Sequence, residues 1–230
     1  MAAARFAIGI AVVAVWSAIK NIKLRPRPGE LRSLLVLSVL FFFQIAFLNV
    51  GADYTLAGRA SIFISTYPFF TAIFAHFMLT GDRLTMQKIG GMALSFIGIV
   101  AIFGEGILAG QIGYITGDLL ILISGLLLGL RVTYTKRLLI GMDTEKLLFW
   151  QGTFSIPVYV ALCFLTENPG DFFVTPAIIT GILYQGLVVA GFCFIVQTAM
   201  VHRHGASRMS TFGFIPPISG VVLSAVLLGE

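Results

Sequence analysis

The residues able to do chemistry in this chain are scattered singly through long apolar runs, and their pattern suits binding better than bond-making. Arg131 is the sharpest of them. It falls about five residues past the centre of the run 115–137, roughly 7 Å toward its basic end at 1.5 Å per helical residue. A guanidinium at a helix centre costs about 2.5–3.5 kcal/mol in a bilayer, so such residues face a cavity or a partner. Arg131 could pair with an anionic solute group, or it could snorkel to the surface beside Lys136 and Arg137, and both readings stay open. Gln151 lies at similar depth in its own run. Gln44, Thr66, Tyr67, Thr71, Tyr134, Tyr184 and Gln185 are further polar groups inside runs. Each can hydrogen-bond a solute, or stitch two helices together for about 0.6 kcal/mol. Pro68 and the Pro216-Pro217 pair remove helical hydrogen bonds, which makes either a hinge or a static kink healed by neighbours. Asn49 and Gln197 are candidate gates or helix anchors.

Chemistry of other kinds is poorly supported. His76 is the only histidine within a run, a proton relay or a satisfied structural group. His202 and His204 flank Arg203, a poor setting for a metal, and no metal or cofactor is expected. Asp82 and Asp118 belong to opposite faces, and neither GxSxG nor HExxH occurs, so an intramembrane enzyme is disfavoured. GEGILAG at 104–110 lacks the spacing and the following Lys-Ser/Thr of a phosphate loop. Cys163 and Cys193 lie in apolar runs and read as small core residues rather than a disulfide or metal pair.

These groups must be carried by elements that fit a membrane. Of 230 residues, 58% are hydrophobic and 11% charged, against about 45–50% and about 25% in soluble domains. Mean hydropathy is +0.98. That balance excludes a soluble enzyme, a nucleic-acid-binding domain and a disordered chain. Eight runs of the length that crosses a bilayer as helix occur at 2–20, 31–52, 59–80, 85–105, 115–137, 146–166, 177–200 and 206–229. They do not alternate apolar with polar residues, as strands of a membrane barrel would. The expected fold is therefore all-α, a polytopic membrane helix bundle.

Of fifteen Lys and Arg, thirteen fall in or beside alternate joints, and only Arg5 and Arg59 lie on the other side. The intervening joints hold Asp53, Glu105, Asp118, Glu167 and Asp171. Basic joints mark the cytoplasmic face, so both ends of this chain are expected outside. The net charge of +5 is mostly this signature, and nucleic acid is not a partner. The first run is not a convincing secretory signal, because its charges follow the apolar stretch.

A shift of 148 residues brings Asn49 onto Gln197, Pro68 onto Pro216, Thr71 onto Ser219 and Gly81-Asp82 onto Gly229-Glu230. The two copies cross in opposite directions, the mark of inverted-topology repeats in secondary transporters. Two repeats are expected, at 1–110 and 111–230. The second lacks a span equivalent to 85–105, and the first lacks a mate for 115–137.

The stretches YPFFTAIFAHFMLTGDRLTMQKIGGMALSFIGIVAIFG, GILYQGLVVAGFCFIVQTAMVHRHGASRMS, HGASRMSTFGFIPPISGVVLSAVLLGE and MAAARFAIGIAVVAVWSAIK resemble the drug/metabolite transporter superfamily, in particular its EamA-type members. The resemblance implies ten helices in the intact family, of which this chain looks like helices two to nine, with Met1 an internal residue of a longer frame. It implies a bacterial inner-membrane secondary transporter that moves a small organic metabolite by alternating access, export of amino-acid-like solutes being favoured. A non-transporting membrane scaffold or an inactive truncated remnant is the alternative. The partners implied are a small-molecule solute and the lipid bilayer; a coupling ion is not assigned and a homodimer stays open. In a variant lacking native cysteines, a cysteine at Gly170 should react with an impermeant thiol reagent applied outside, and one at Gly141 should not. The reverse labelling would overturn the orientation.

Overall fold

The computed structural model describes residues 2–103, 112–166, 175–217 and 219. Among them the chain is helical throughout, without a strand: α1 (Ala2–Ile19), α2 (Glu30–Asp53), α3 (Ala57–Ile64), α4 (Tyr67–Met78), α5 (Met86–Phe103), α6 (Ile115–Leu138), α7 (Thr144–Thr166), α8 (Pro176–Tyr184), α9 (Phe194–His204) and α10 (Ala206–Thr211). A π-helical segment, Gln185–Cys193, joins α8 to α9 without a break, and 3₁₀ turns at Ile112–Tyr114 and Phe212–Phe214 precede α6 and follow α10. Among the described residues, four stretches are long and apolar enough to cross a membrane: Glu30–Asp53, Ala57–Met78, Ile115–Leu138 and Ile178–His204. The fold is an all-α membrane helix bundle.

Its packing is that of a protein dissolved in lipid. Hydrocarbon is as apolar as leucine, so helices associate through small residues that let backbones approach. Ser17, Ser38, Ser65, Ser124, Thr133 and Ser155 are buried, while Leu94, Ile97 and Phe192 are more than half exposed. Four of these hydroxyls are satisfied locally. Ser17, Ser38, Ser65 and Ser155 each donate to the carbonyl four residues earlier, at 2.6–2.7 Å.

The chain forms two compact units, each drawing on both ends of the sequence. The first comprises Met1–Phe42 and Leu138–Arg203. Here α1 lies against α7 and the π segment. A Cβ at Gly9 would stand 2.8 Å from that of Ala190, and one at Gly152 would stand 2.6 Å from Ile10, so neither glycine tolerates a side chain without movement. Phe6 sets its ring edge-on to Phe41 at 4.9 Å and stacks on Tyr159 at 5.6 Å. At the basic end, Lys146 pairs with Glu30 at 3.1 Å, both nearly buried. The Trp150 indole N–H donates to the Leu24 carbonyl at 2.7 Å, holding the basic joint on α7.

The second unit comprises Phe43–Arg137 and His204–Glu230. Its apolar centre is Ile62, Ala72, Met92 and Phe214, with Phe69 packed against it. The third apolar run is divided at Ser65–Thr66 into α3 and α4, and Pro68 stands in the first turn of α4. There its missing N–H leaves no carbonyl without a partner. Arg59 and Asp118 form a buried ion pair, each side chain 7% exposed. The Arg59 Nε–H reaches both carboxylate oxygens, at 3.0 and 3.2 Å, and Thr55 adds a hydroxyl donor at 2.6 Å.

Outside the spans, Asp82 accepts from the Lys88 ammonium at 2.6 Å and from the Ser207 backbone N–H at 3.1 Å, which ties the joint to the first turn of α10. Burial alone would raise the Asp82 carboxyl, but Lys88 and Ser207 more than offset it, and its pKa lies below the ordinary carboxylate value. A depressed carboxylate contributes stability that is present above its unfolded pKa and lost as pH falls through the folded one. Asp82→Asn should therefore lower the unfolding temperature in detergent at neutral pH and flatten its decline with acid; an unchanged acid profile would refute the tie. Asp118→Asn, which leaves Arg59 buried without a carboxylate, should cost about 3–5 kcal/mol, and Arg59→Met with Asp118→Leu should recover much of it.

Candidate functional site

Most of the polar groups named from the sequence in the second unit converge on one helix, α6. Gly125 and Gly129 make this possible. A Cβ at Gly129 would stand 2.7 Å from the Phe70 Cβ and 2.8 Å from the Thr71 nitrogen, so α4 crosses α6 at backbone distance. One turn on, Thr133 donates to the carbonyls of Gly129 at 3.0 Å and Thr71 at 3.3 Å. The Thr71 hydroxyl is fully buried and donates to the Tyr67 carbonyl at 2.9 Å. Thr66 donates to the Phe63 carbonyl at 2.7 Å. Both threonine hydroxyls thus spend their donor on their own chain, and α4 presents Tyr67 as its polar group.

Tyr67 is seated under the 3₁₀ turn, where a Cβ at Gly213 would lie 1.9 Å from its hydroxyl. Arg131, half-buried on α6, stands within electrostatic reach of that hydroxyl. From α2, Gln44 is 2% exposed; its amide nitrogen donates to the Ser124 hydroxyl at 3.4 Å, and Ser124 returns a bond to the Gln44 carbonyl at 2.8 Å. The side-chain oxygen Oε1 of Gln44 is buried with no hydrogen-bond partner among the described residues. Seven residues separate Ser124 from Arg131, two turns of helix, so they share one face of α6 about 10 Å apart. The arrangement offers a buried acceptor at one level and, two turns along, a guanidinium within electrostatic reach of a phenol. That is equipment for holding a polar solute. Tyr134 is half-buried on the same helix.

In the first unit Gln151 is buried and lines a cavity with Phe6, Ile10, Phe41 and Phe194. Its volume of about 20 Å³ for water-sized spheres admits a single water and no metabolite. Tyr184 and Gln185 are exposed at the start of the π segment. Asn49 and Gln197 are exposed. Pro216 is exposed and Pro217 half-buried in the helical residues 215–217, whereas Gly229-Glu230 lies outside the described residues. His76 is exposed, its Nδ1 accepting from the Leu84 N–H at 3.4 Å. Among the described residues no group of His, Cys, Asp and Glu is placed to hold a metal ion.

Three findings were not legible in the chain. Ser124, the partner of Gln44, looked like any small residue of an apolar run. Gly213 earns notice only through the ring it accommodates. Cys193, read as a core residue, is instead exposed on the π segment, because α1 covers the opposite face of that segment at Ala190 and Gly191.

The EamA-like transporter family model matches residues 1–104 and again 115–230. The chain is 23% identical to a protein of Bacillus subtilis (strain 168) named "Uncharacterized transporter YoaV", over 92% of this chain and 73% of that one. It is 26% identical to a "Probable amino-acid metabolite efflux pump" of Salmonella typhimurium, over 82% of this chain and 66% of that one. It is 29% identical to a "Probable terminal-alkyne amino-acid exporter" of Streptantibioticus cattleyicolor, over 80% and 60%. A solved crystal structure shares its fold with a TM-score of 0.78 at 19% identity, covering 97% of this chain and 78% of that one. A helical membrane protein matched by this family over nearly its whole length, in two stretches, belongs to the EamA-like transporter family.

Proposed function

We propose that this protein is a secondary transporter of the bacterial inner membrane, exporting a small amino-acid-like solute by alternating access between repeats at 1–110 and 111–230. The two separate matches to the family model support the pair of repeats, and the names of two relatives support the solute class. The observation that carries the reading is the face of α6. Gln44 Oε1 is a buried acceptor in want of an N–H, and Arg131, within electrostatic reach of the Tyr67 hydroxyl, is a donor for an anionic oxygen. An amphoteric solute bears both complements. Pairing them satisfies the site in a medium where neither finds water.

In this reading Tyr67 orients the solute at Arg131, and Gly125 and Gly129 give α4 and α6 the smooth contact along which one can shift on the other. Pro68, Pro216 and Pro217 serve as hinges. Asn49 and Gln197 serve as gates, and Gln151, Tyr134, Tyr184 and Gln185 are further polar contacts for the solute.

The test is flux through proteoliposomes loaded with a mixture of common amino acids, followed by mass spectrometry. Arg131→Gln should lower efflux at least about tenfold, the scale of one lost charge-assisted hydrogen bond. Unchanged rate and affinity would assign Arg131 to snorkelling. No flux by the unaltered protein would favour a scaffold or remnant.

A further inference from the structure

Five cations crowd the joint between α1 and α2: Lys20, Lys23, Arg25, Arg27 and Arg32, all of them exposed. Among the described residues none of the five makes an ion pair. The carboxylate beside them, Glu30, is within electrostatic reach of Arg27 but is held by Lys146 at 3.1 Å. Asp143 and Glu145, at the start of α7, form no ion pair with them either.

The local sequence sets how these charges are displayed. Pro26 and Pro28 supply no N–H, and each pushes the arginine before it, Arg25 and Arg27, into extended backbone. Residues 22–27 accordingly form neither helix nor turn. Their burial alternates: Ile22, Leu24 and Pro26 are half-buried, whereas Lys23, Arg25 and Arg27 are exposed. A period of two belongs to extended chain, so these three cations share one face, about 6–7 Å apart along it. Three hydrogen bonds pin the strap. The Ile22 N–H donates to the Ser17 carbonyl at 2.9 Å, the Leu24 carbonyl accepts from the Trp150 indole at 2.7 Å, and the Arg27 N–H donates to Glu30 Oε2 at 2.7 Å. Like charges held side by side repel, a cost that an anion on the same face removes.

The surroundings of the strap decide which anion that is. In the last turn of α1, Trp16 is 40% exposed and Ile19 69%; in the first turns of α2, Leu31 is 47% exposed and Leu35 44%. Apolar side chains open on both helices that the strap joins face acyl chains in a bilayer. The Lys20 ammonium stands 5.3 Å from the centre of the Trp16 ring, and tryptophans near span ends sit at the level of the headgroups. The cationic face thus begins where the apolar surface ends. A phospholipid has that same division, phosphate at one end and hydrocarbon at the other. A soluble anion would meet the cations and leave the apolar border uncovered.

We infer that the strap at 22–27 is a binding station for anionic phospholipid, with Lys23, Arg25 and Arg27 donating to the phosphodiester headgroup and Trp16 and Lys20 at its rim. Clusters of four to eight Lys and Arg beside a membrane helix attract anionic headgroups, and here the backbone holds them ready. The inference rests on the membrane fold alone, and it stands or falls independently of solute transport.

The experiment counts lipids bound to the purified full chain by native mass spectrometry in detergent, with phosphatidylglycerol, phosphatidylcholine or inorganic phosphate added. Phosphatidylglycerol should bind about a hundredfold tighter than phosphatidylcholine, near fivefold for each of three cations. Inorganic phosphate at equal concentration should not displace it. Lys23→Gln with Arg25→Gln and Arg27→Gln should bring phosphatidylglycerol down to the affinity of phosphatidylcholine and leave the latter unchanged. A second variant removes as much charge elsewhere, at the exposed Arg83, Arg203 and Arg208, each to Gln, and should keep its affinity within about twofold. Equal losses in the two variants would mean diffuse attraction and overturn the station. Equal binding of the two lipids overturns it as well, and displacement by inorganic phosphate would give the face to a soluble anion. If the triple variant does not fold, Lys23→Gln alone decides: about fivefold weaker phosphatidylglycerol binding is expected, and an unchanged affinity overturns the inference.

Discussion

Hydrocarbon offers no water to a guanidinium, a carboxylate or an amide, so every such group carried into the helices must be answered by the chain or by something the chain binds. Most of the polar architecture follows from that demand. Arg59 and Asp118 answer each other in a buried pair, with Thr55 taking part of the remaining capacity of the carboxylate. Ser17, Ser38 and Thr71 return their hydroxyls to their own helices. Among the described residues, the buried side-chain atoms without a partner include the Gln44 Oε1, the Arg5 Nε–H and the Ser207 hydroxyl.

The same demand explains why small residues dominate the helix contacts. Apolar side chains gain little by leaving lipid for protein, so affinity between helices comes from close backbone approach and the hydrogen bonds it permits. Gly129 brings α4 near enough for Thr133 to reach the Thr71 carbonyl. Gly9 and Gly152 do the corresponding work for α1. A helix held by such contacts has few interlocked large side chains to oppose sliding.

The π segment illustrates a further consequence. Nine residues, Gln185–Cys193, adopt the wider helix where α1 packs most closely. π-helical insertions are uncommon and concentrate at functional sites. Here the segment begins at Gln185, the residue that orients Arg5.

Much of this protein is written along the chain. Apolar length and the placement of charge are one-dimensional quantities, and a bilayer reads them directly. The expected runs 31–52, 115–137 and 146–166 correspond to α2, α6 and α7 within two residues at each end. Arg131, Tyr67 and Gln44 stood out because a polar group in an apolar run is conspicuous at any fold. Other features depended on which helix faces which. The run 59–80 concealed a break at Ser65–Thr66, and nothing in its composition marks a change of pitch at Gln185. Ser124 gained a role only by meeting Gln44, 80 residues away, and Asp118 only by meeting Arg59, 59 residues away. Sequence by itself determined the membrane, the helices and the inventory of polar groups, because these follow from local hydropathy and charge. Tertiary structure alone decided which of those groups satisfy one another, because partnership in a low-dielectric medium is a matter of contact at about 3 Å.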